Sequence, residues 1–207
     1  MRPGFMPKVL FTPFCILCII LLTSFESKDL LNKPMPSLSA KTLDGIVINR
    51  DYFKGHCTLV SFMYIGCMPC MNEIGLLNRL KNEYANYPHF QILCIARQMK
   101  TQMIDFNTDN KSVFSNIRRA LNVPPIQYAI QPACGSDSSK IQKQGEHVTL
   151  VSECNTISDV YGIDAFPTIF LVDSDCVIRV INKGGPSQPN DTLFYNRLKK
   201  EISSFLQ

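Results

Sequence analysis

The chain has 207 residues, 45% of them hydrophobic and 18% charged, with a net charge of +4. That length suits one ordinary domain plus a short appendage, and the composition excludes a disordered chain. Residues 1–33 hold four basic and two acidic side chains, the remainder 17 against 15, and no block of like charge occurs. Nucleic acid is therefore excluded as a partner class.

The first element is an apolar run. Arg2 and Lys8 precede "VLFTPFCILCIILL", which has no charge, and the polar "TSFES" follows. Basic, then apolar, then small and polar is the order of a signal peptide. The uncharged run falls short of the roughly 20 residues a membrane-spanning helix needs. Two readings stay open for residues 1–27: an export signal that is cleaved, or an uncleaved membrane anchor. Cys15 and Cys18 lie inside this run and read as small hydrophobes. Outside the cytosol disulfides form and persist, so the other cysteines would be staples or a working redox couple.

Residues 28–40, polar with two prolines, read as a linker, and 41–207 as the folded domain. Asp44-Gly45 between short apolar runs predicts a hairpin or short β element over 42–55, with Asp51 capping a short turn. "CTLVSFMY" (57–64) is short, apolar and β-branched, which favours a buried strand. Ile74, Leu77, Leu80 and Tyr84 recur at helical spacing over 67–87, and Pro88 ends that helix. "FQILCIA" (90–96) is a second buried strand. Two nearly all-apolar strands around a helix form a parallel βαβ unit.

Val113, Phe114, Ile117, Ala120 and Leu121 mark a helix that stops before Pro124-Pro125. Residues 132–147 are polar and read as a surface loop, 148–151 as a short strand, and 156–162 as a short helix closed by Gly162. "TIFLV" (168–172) and "VIRVI" (177–181), joined by "DSDC", predict a hairpin. Leu193, Phe194, Leu198, Ile202 and Phe205 predict a final helix over 191–206.

The chemistry centres on "GCMPC". Directly after a strand, Cys67 falls at the start of a helix, where unpaired N–H groups and the dipole favour an anion. The Cys67 thiol should therefore titrate below the free value of about 8.5. Cys70 lies one turn further in, on the same face, and Pro69 is tolerated in a first turn. This predicts an exposed nucleophile, Cys67, and a shielded resolving thiol, Cys70. A static staple is the lesser reading, because so short a step closes almost no loop. Zinc needs a second half-site, and His56, His89 and His147 show no metal spacing. Copper(I) stays open, because Met63, Met68 and Met71 flank the pair and thioethers suit that ion.

"GCMPCMNE", followed about a hundred residues later by "GIDAFPTIFLVDSD", resembles the thioredoxin superfamily. Within it, the chain looks most like the TlpA/ResA-type exported thiol–disulfide oxidoreductases. The match covers roughly 34–206, and C-x-P-C-x-x-E falls on Cys67, Pro69, Cys70 and Glu73. The resemblance implies a thioredoxin-like α/β fold, a central mixed sheet flanked by helices. It implies a redox-active Cys67–Cys70 disulfide and a cis Phe166–Pro167 bond facing the pair, where the Phe166 backbone docks an extended substrate. No cofactor is implied. The partners would be protein thiol or disulfide substrates and a redox donor protein, met in the periplasm or cell envelope. The alternative on the same fold is a copper(I) chaperone for respiratory enzyme assembly.

Glu73 matches a family glutamate near the thiols. One reading makes it the proton partner of Cys70, the other a solvated acid in the first helical turn. The chain departs from the family at Gly66, where Trp is usual, and it has no Trp at all. Residues 98–147 look longer than the family's connection and imply an insertion beside the site. Of the other cysteines, Cys94 reads as a buried small hydrophobe. Cys134 with Cys154, and Cys57 with Cys176, are candidate pairs.

Overall fold

A computed structural model describes residues 30–36, 40–133, 139–144, 147–152 and 161–206. Ala40–Lys41 (β1) and Val47–Ile48 (β2) pair antiparallel around the Asp44-Gly45 turn. Arg50–Phe53 (α1) follows. Its cap is Asn49, not Asp51: the Asn49 side chain accepts from the Tyr52 N–H at 3.1 Å. Asp51 already sits inside the helix, where its side chain cannot reach the free N–H groups from the capping position.

Cys57–Met63 (β3), Met68–Glu83 (α2) and Phe90–Ala96 (β4) form the anticipated parallel βαβ unit, with Ser61 opposite Cys94 and Met63 opposite Ala96. Two helices fill the connection that follows, Lys100–Asn107 (α3) and Val113–Ala120 (α4). Only the second is signalled by the apolar pattern of the sequence. Helix α3 buries just Met103 and Phe106, too few positions to draw an apolar stripe. Ala129–Gln131 (β5) is a short strand that pairs parallel to β4.

Ser139–Gln144 (β6) pairs antiparallel with His147–Ser152 (β7). The stretch expected to be a polar surface loop thus contains a strand. Its backbone finds partners in β7 whatever the polarity of its side chains. Thr168–Val172 (β8), Ile178–Lys183 (β9) and Thr192–Ser203 (α5) complete the chain, and Asp191 caps α5.

The main sheet has the order β5-β4-β3-β8-β9, with β8 antiparallel to the parallel trio and β9 antiparallel to β8. Strands β3 and β8 are buried along their whole length because both faces are covered. On one face Leu59, Met63, Cys94, Ile169 and Leu171 pack with α2, α3 and α5. On the other Val60, Phe62, Leu93, Ile95 and Phe170 pack with Ile48, Phe53 and Tyr161. Leu30 and Met35 are buried in this second core, and Asn32 and Lys33 hydrogen-bond the edge of β9. Part of the stretch expected to be a linker is therefore strapped to the sheet.

Cys57 belongs to the first core and Cys176 to the second, and both thiols are free. The sheet separates them, which overturns the idea that they pair. Cys94 is buried as anticipated, also as a free thiol. Among the described residues no helix is long and apolar enough to cross a membrane. The segment 1–27, the Cys134–Cys154 pair and most of the helix expected over 156–162 lie outside the described residues.

Candidate active site

Strand β3 leads straight into the site. After Met63 the chain turns through Tyr64, Ile65 and Gly66, and the Cys67 N–H donates to the Tyr64 carbonyl at 3.3 Å. Gly66 has φ +106, a conformation side chains resist, so the turn explains why no bulky residue precedes Cys67. The Gln98 side chain accepts from the Ile65 N–H at 3.0 Å and braces the turn from the end of β4.

Cys67 is itself the N-cap of α2. Its Sγ accepts from the Cys70 N–H at 3.2 Å, in the position a capping serine oxygen would hold. Cys67 and Cys70 form a disulfide with Cα atoms 5.2 Å apart. Once the bond is opened, the same N–H and the helix end would favour a Cys67 thiolate. The contrast in exposure is smaller than the sequence predicts: Cys67 is 6% exposed and Cys70 2%. The cis-proline loop leans over Cys67, with the Phe166 carbonyl oxygen 3.5 Å from its Sγ. Only Met68 and Pro69 stand out to solvent between the cysteines.

The Phe166–Pro167 bond is cis. Pro167 is backed by Gly185, where a Cβ would lie 2.5 Å from Pro167 Cγ and 3.1 Å from the Pro69 carbonyl oxygen. Only glycine lets the β9 exit loop come so close to both halves of the site. The neighbouring Pro186 carbonyl accepts from the Asn72 side chain at 3.3 Å, tying that loop to α2.

Glu73 is 1% exposed, which removes the solvated-acid reading. It points to the α2 face of the sheet, and neither carboxylate oxygen meets a hydrogen-bond donor in good geometry. Burial pushes its carboxyl up to about 8, and the Ser61 hydroxyl on β3 draws it back only in part. Cys94, across from Ser61 on β4, is pushed up by burial first and by Glu73 second. Tyr128 is pushed up by burial and then by the same two groups. A protonated Glu73 near neutrality is the form this cluster favours.

Met63 and Met71 pack in the first core with their sulfurs enclosed, leaving Met68 as the exposed methionine of the three. Among the described residues no three His, Cys, Asp or Glu side chains come together as a metal site. Three parts of the site have no clear signal in the sequence. Gly184-Gly185-Pro186 is visible as a turn signal after a strand, but its approach to Pro167 is a tertiary fact. Tyr64 meets Phe166 edge-on with ring centroids 5.4 Å apart, and the Arg97 guanidinium lies 5.5 Å from the Phe166 ring centre. Tyr64 closes the apolar run 57–64 and Arg97 belongs to no local pattern, and in neither case does the sequence point to Phe166.

A mixed sheet with a cysteine pair on the first turn of the helix after its central strand, faced by a cis-proline loop, defines a thioredoxin-like fold. Solved structures of that fold match nearly the whole domain. One, from Chlorobium tepidum, is provisionally described as the thiol:disulfide interchange protein DsbE. It is 14% identical, with 86% of this chain and 98% of that chain covered and a TM-score of 0.56. The thioredoxin domain of thiol-disulfide oxidoreductase BVU-2223 from Bacteroides vulgatus is 18% identical, covers 83% and 97%, and has a TM-score of 0.52. The MTB dsbF structure, in mixed oxidized and reduced forms, is 15% identical, covers 83% and 96%, and has a TM-score of 0.52. No family model matches the sequence, and no curated protein matches it.

Proposed function

We propose that the protein is an exported thiol–disulfide oxidoreductase that exchanges electrons with protein substrates through Cys67 and Cys70. The observation that carries this reading is the Cys67–Cys70 disulfide on the first turn of α2, with the Phe166 carbonyl beside Cys67 Sγ. The structural neighbours named as thiol–disulfide enzymes support it, as does the basic-apolar-polar order of residues 1–27 for export.

In the reducing direction the Cys67 thiolate attacks one sulfur of a substrate disulfide. A mixed disulfide forms and the other substrate sulfur leaves as a thiolate. Cys70 then gives up its proton and attacks Cys67 Sγ, which releases the second substrate sulfur and leaves the Cys67–Cys70 disulfide. Two electrons pass to the substrate, and a redox partner protein returns them. Run backwards, the same steps oxidise a substrate dithiol. Phe166 and Pro167 bind the substrate segment through the Phe166 backbone. Glu73, in its ionised form, accepts the proton that Cys70 gives up while that thiol is enclosed. The reaction calls on no cofactor. The copper(I) reading draws no support from Met63 and Met71, which are spent on packing.

The test is nucleophile order. With limiting alkylating agent, the reduced protein should be labelled at Cys67 before Cys70. Cys70→Ser should trap mixed disulfides with substrate proteins, and Cys67→Ser should not. Labelling of Cys70 first, in peptides mapped by mass, would overturn the assignment.

A further inference from the structure

Just beyond the paired residues Met63 and Ala96, strands β3 and β4 release Tyr64 and Arg97 side by side. The Arg97 N–H donates to the Met63 carbonyl at 3.0 Å, which holds the two exits together. Both residues are exposed, and both turn onto the ring of Phe166: Tyr64 edge-on, Arg97 over it. The backbone of that same Phe166 touches Cys67 Sγ. Two aromatic rings and one guanidinium thus form a shelf that runs from Cys67 toward solvent, where this chain lacks a tryptophan.

The charge on the shelf is positive. Asp164, two residues before Phe166, is already compensated by Lys183 at 2.8 Å. A guanidinium over a ring keeps its N–H donors in its own plane, so the ring contact consumes none of them. The planar fork suits a carboxylate. An extended substrate advances about 3.3 Å per residue, so a side chain one or two positions from the reacting cysteine comes over Phe166 and Arg97.

We propose that Arg97, steadied by Phe166 and Tyr64, selects substrate segments that carry an aspartate or glutamate next to the reacting cysteine. This rests on the thiol–disulfide exchange proposed above. Arg97 acts on substrate recognition and takes no part in the electron transfer. An exposed charge contact of this kind changes rates about two- to fivefold, and salt weakens it.

The experiment uses three disulfide-linked peptides identical except for an acidic, neutral or basic residue beside each cysteine. Their reduction by the full-length reduced protein is followed at low and high ionic strength. The wild type should favour the acidic over the basic peptide about two- to fivefold, and high salt should shrink that ratio. Arg97→Gln should bring the ratio close to one, and Arg97→Glu should invert it. Because each ratio is internal to one protein, a general change in activity does not move it. Equal wild-type rates with all three peptides overturn the inference while leaving the exchange reaction standing, and so does an acidic preference that survives Arg97→Glu. Failure of the reduced protein to reduce any of the peptides, together with failure of the oxidised protein to oxidise their dithiol forms, would overturn the exchange reading itself, and this inference with it.

Discussion

Glu73 holds its proton in the folded chain up to about pH 8, because burial disfavours its charged form. In the unfolded chain it releases that proton near its ordinary value of 4.5. Below that value both states are protonated and the group costs nothing. As pH rises toward 8 the unfolded state gains by ionising while the folded state does not, so stability is lost across that window. Glu73→Gln removes the titration and keeps the shape. The variant and the wild type, both oxidised, should unfold in urea with similar stability at pH 4. At pH 8 the variant should be the more stable, by several kcal/mol at most, because each tenfold difference in proton affinity between the two states is worth about 1.4 kcal/mol. Thiol exchange should show the complementary effect: mixed-disulfide decay in Glu73→Gln should lose part of its pH dependence near neutrality, because two coupled groups become one. A flat stability difference between pH 4 and pH 8 would return Glu73 to a plain packing role.

At the scale of elements, two contacts hold the site together from outside the cysteine motif. Gly185 admits the loop after β9 against Pro167 and Pro69, and a methyl group there has backbone and ring in its way. Gly185→Ala should destabilise the protein by about 1–3 kcal/mol, as overpacking does. It should also slow mixed-disulfide formation, because Pro167 has to shift. Denaturant unfolding and exchange rates on the same variant check both effects. Asn78 does comparable work at the far side of α2. It donates to the Pro125 carbonyl at 2.8 Å and accepts from the Gln127 N–H at 2.9 Å, pinning the lead into β5. Asn78→Ala leaves two backbone groups without their partners and should cost about 1–3 kcal/mol in equilibrium unfolding. Most elements were legible in the sequence. Helix α2 announced itself through Ile74, Leu77 and Leu80, and the central strands through unbroken apolar runs. Helix α3 and strand β5 did not, since one buries two residues and the other is three residues long.

Across the whole molecule the sheet acts as a partition. Cys57 and Cys94 lie on the α2 side and Cys176 on the other, all three buried. Burial also pushes the Cys57 thiol up to about 12, with Asp173 adding to it. In the oxidised protein these three positions should resist thiol labelling until denaturant is added, and oxidants should not link Cys57 to Cys176. Mass mapping of labelled peptides with and without denaturant checks this. A Cys57–Cys176 crosslink in the native protein would contradict the two-core architecture.

The sequence by itself determined the alternation of strand and helix and the cysteine pair on the first turn of α2, which are local facts: apolar period and a helix start after a strand. The pairing of that motif with the distant "AFPT" segment was legible only through the resemblance to the thioredoxin superfamily. Tertiary structure alone decided the rest. Whether Glu73 faces water or the sheet depends on where α2 is rolled against β3 and β4, and one turn of spacing after Cys70 fits either case. Whether Cys67 is open or overhung depends on a loop about a hundred residues away. The separation of Cys57 from Cys176 follows from the faces on which their side chains emerge. Tyr64, Arg97 and Phe166 meet because β3 and β4 are parallel and end at the same edge of the sheet, where β8 begins. Contacts between residues so far apart in the chain leave no periodic trace in it. They exist only once burial of both sheet faces has set how the elements lie against one another.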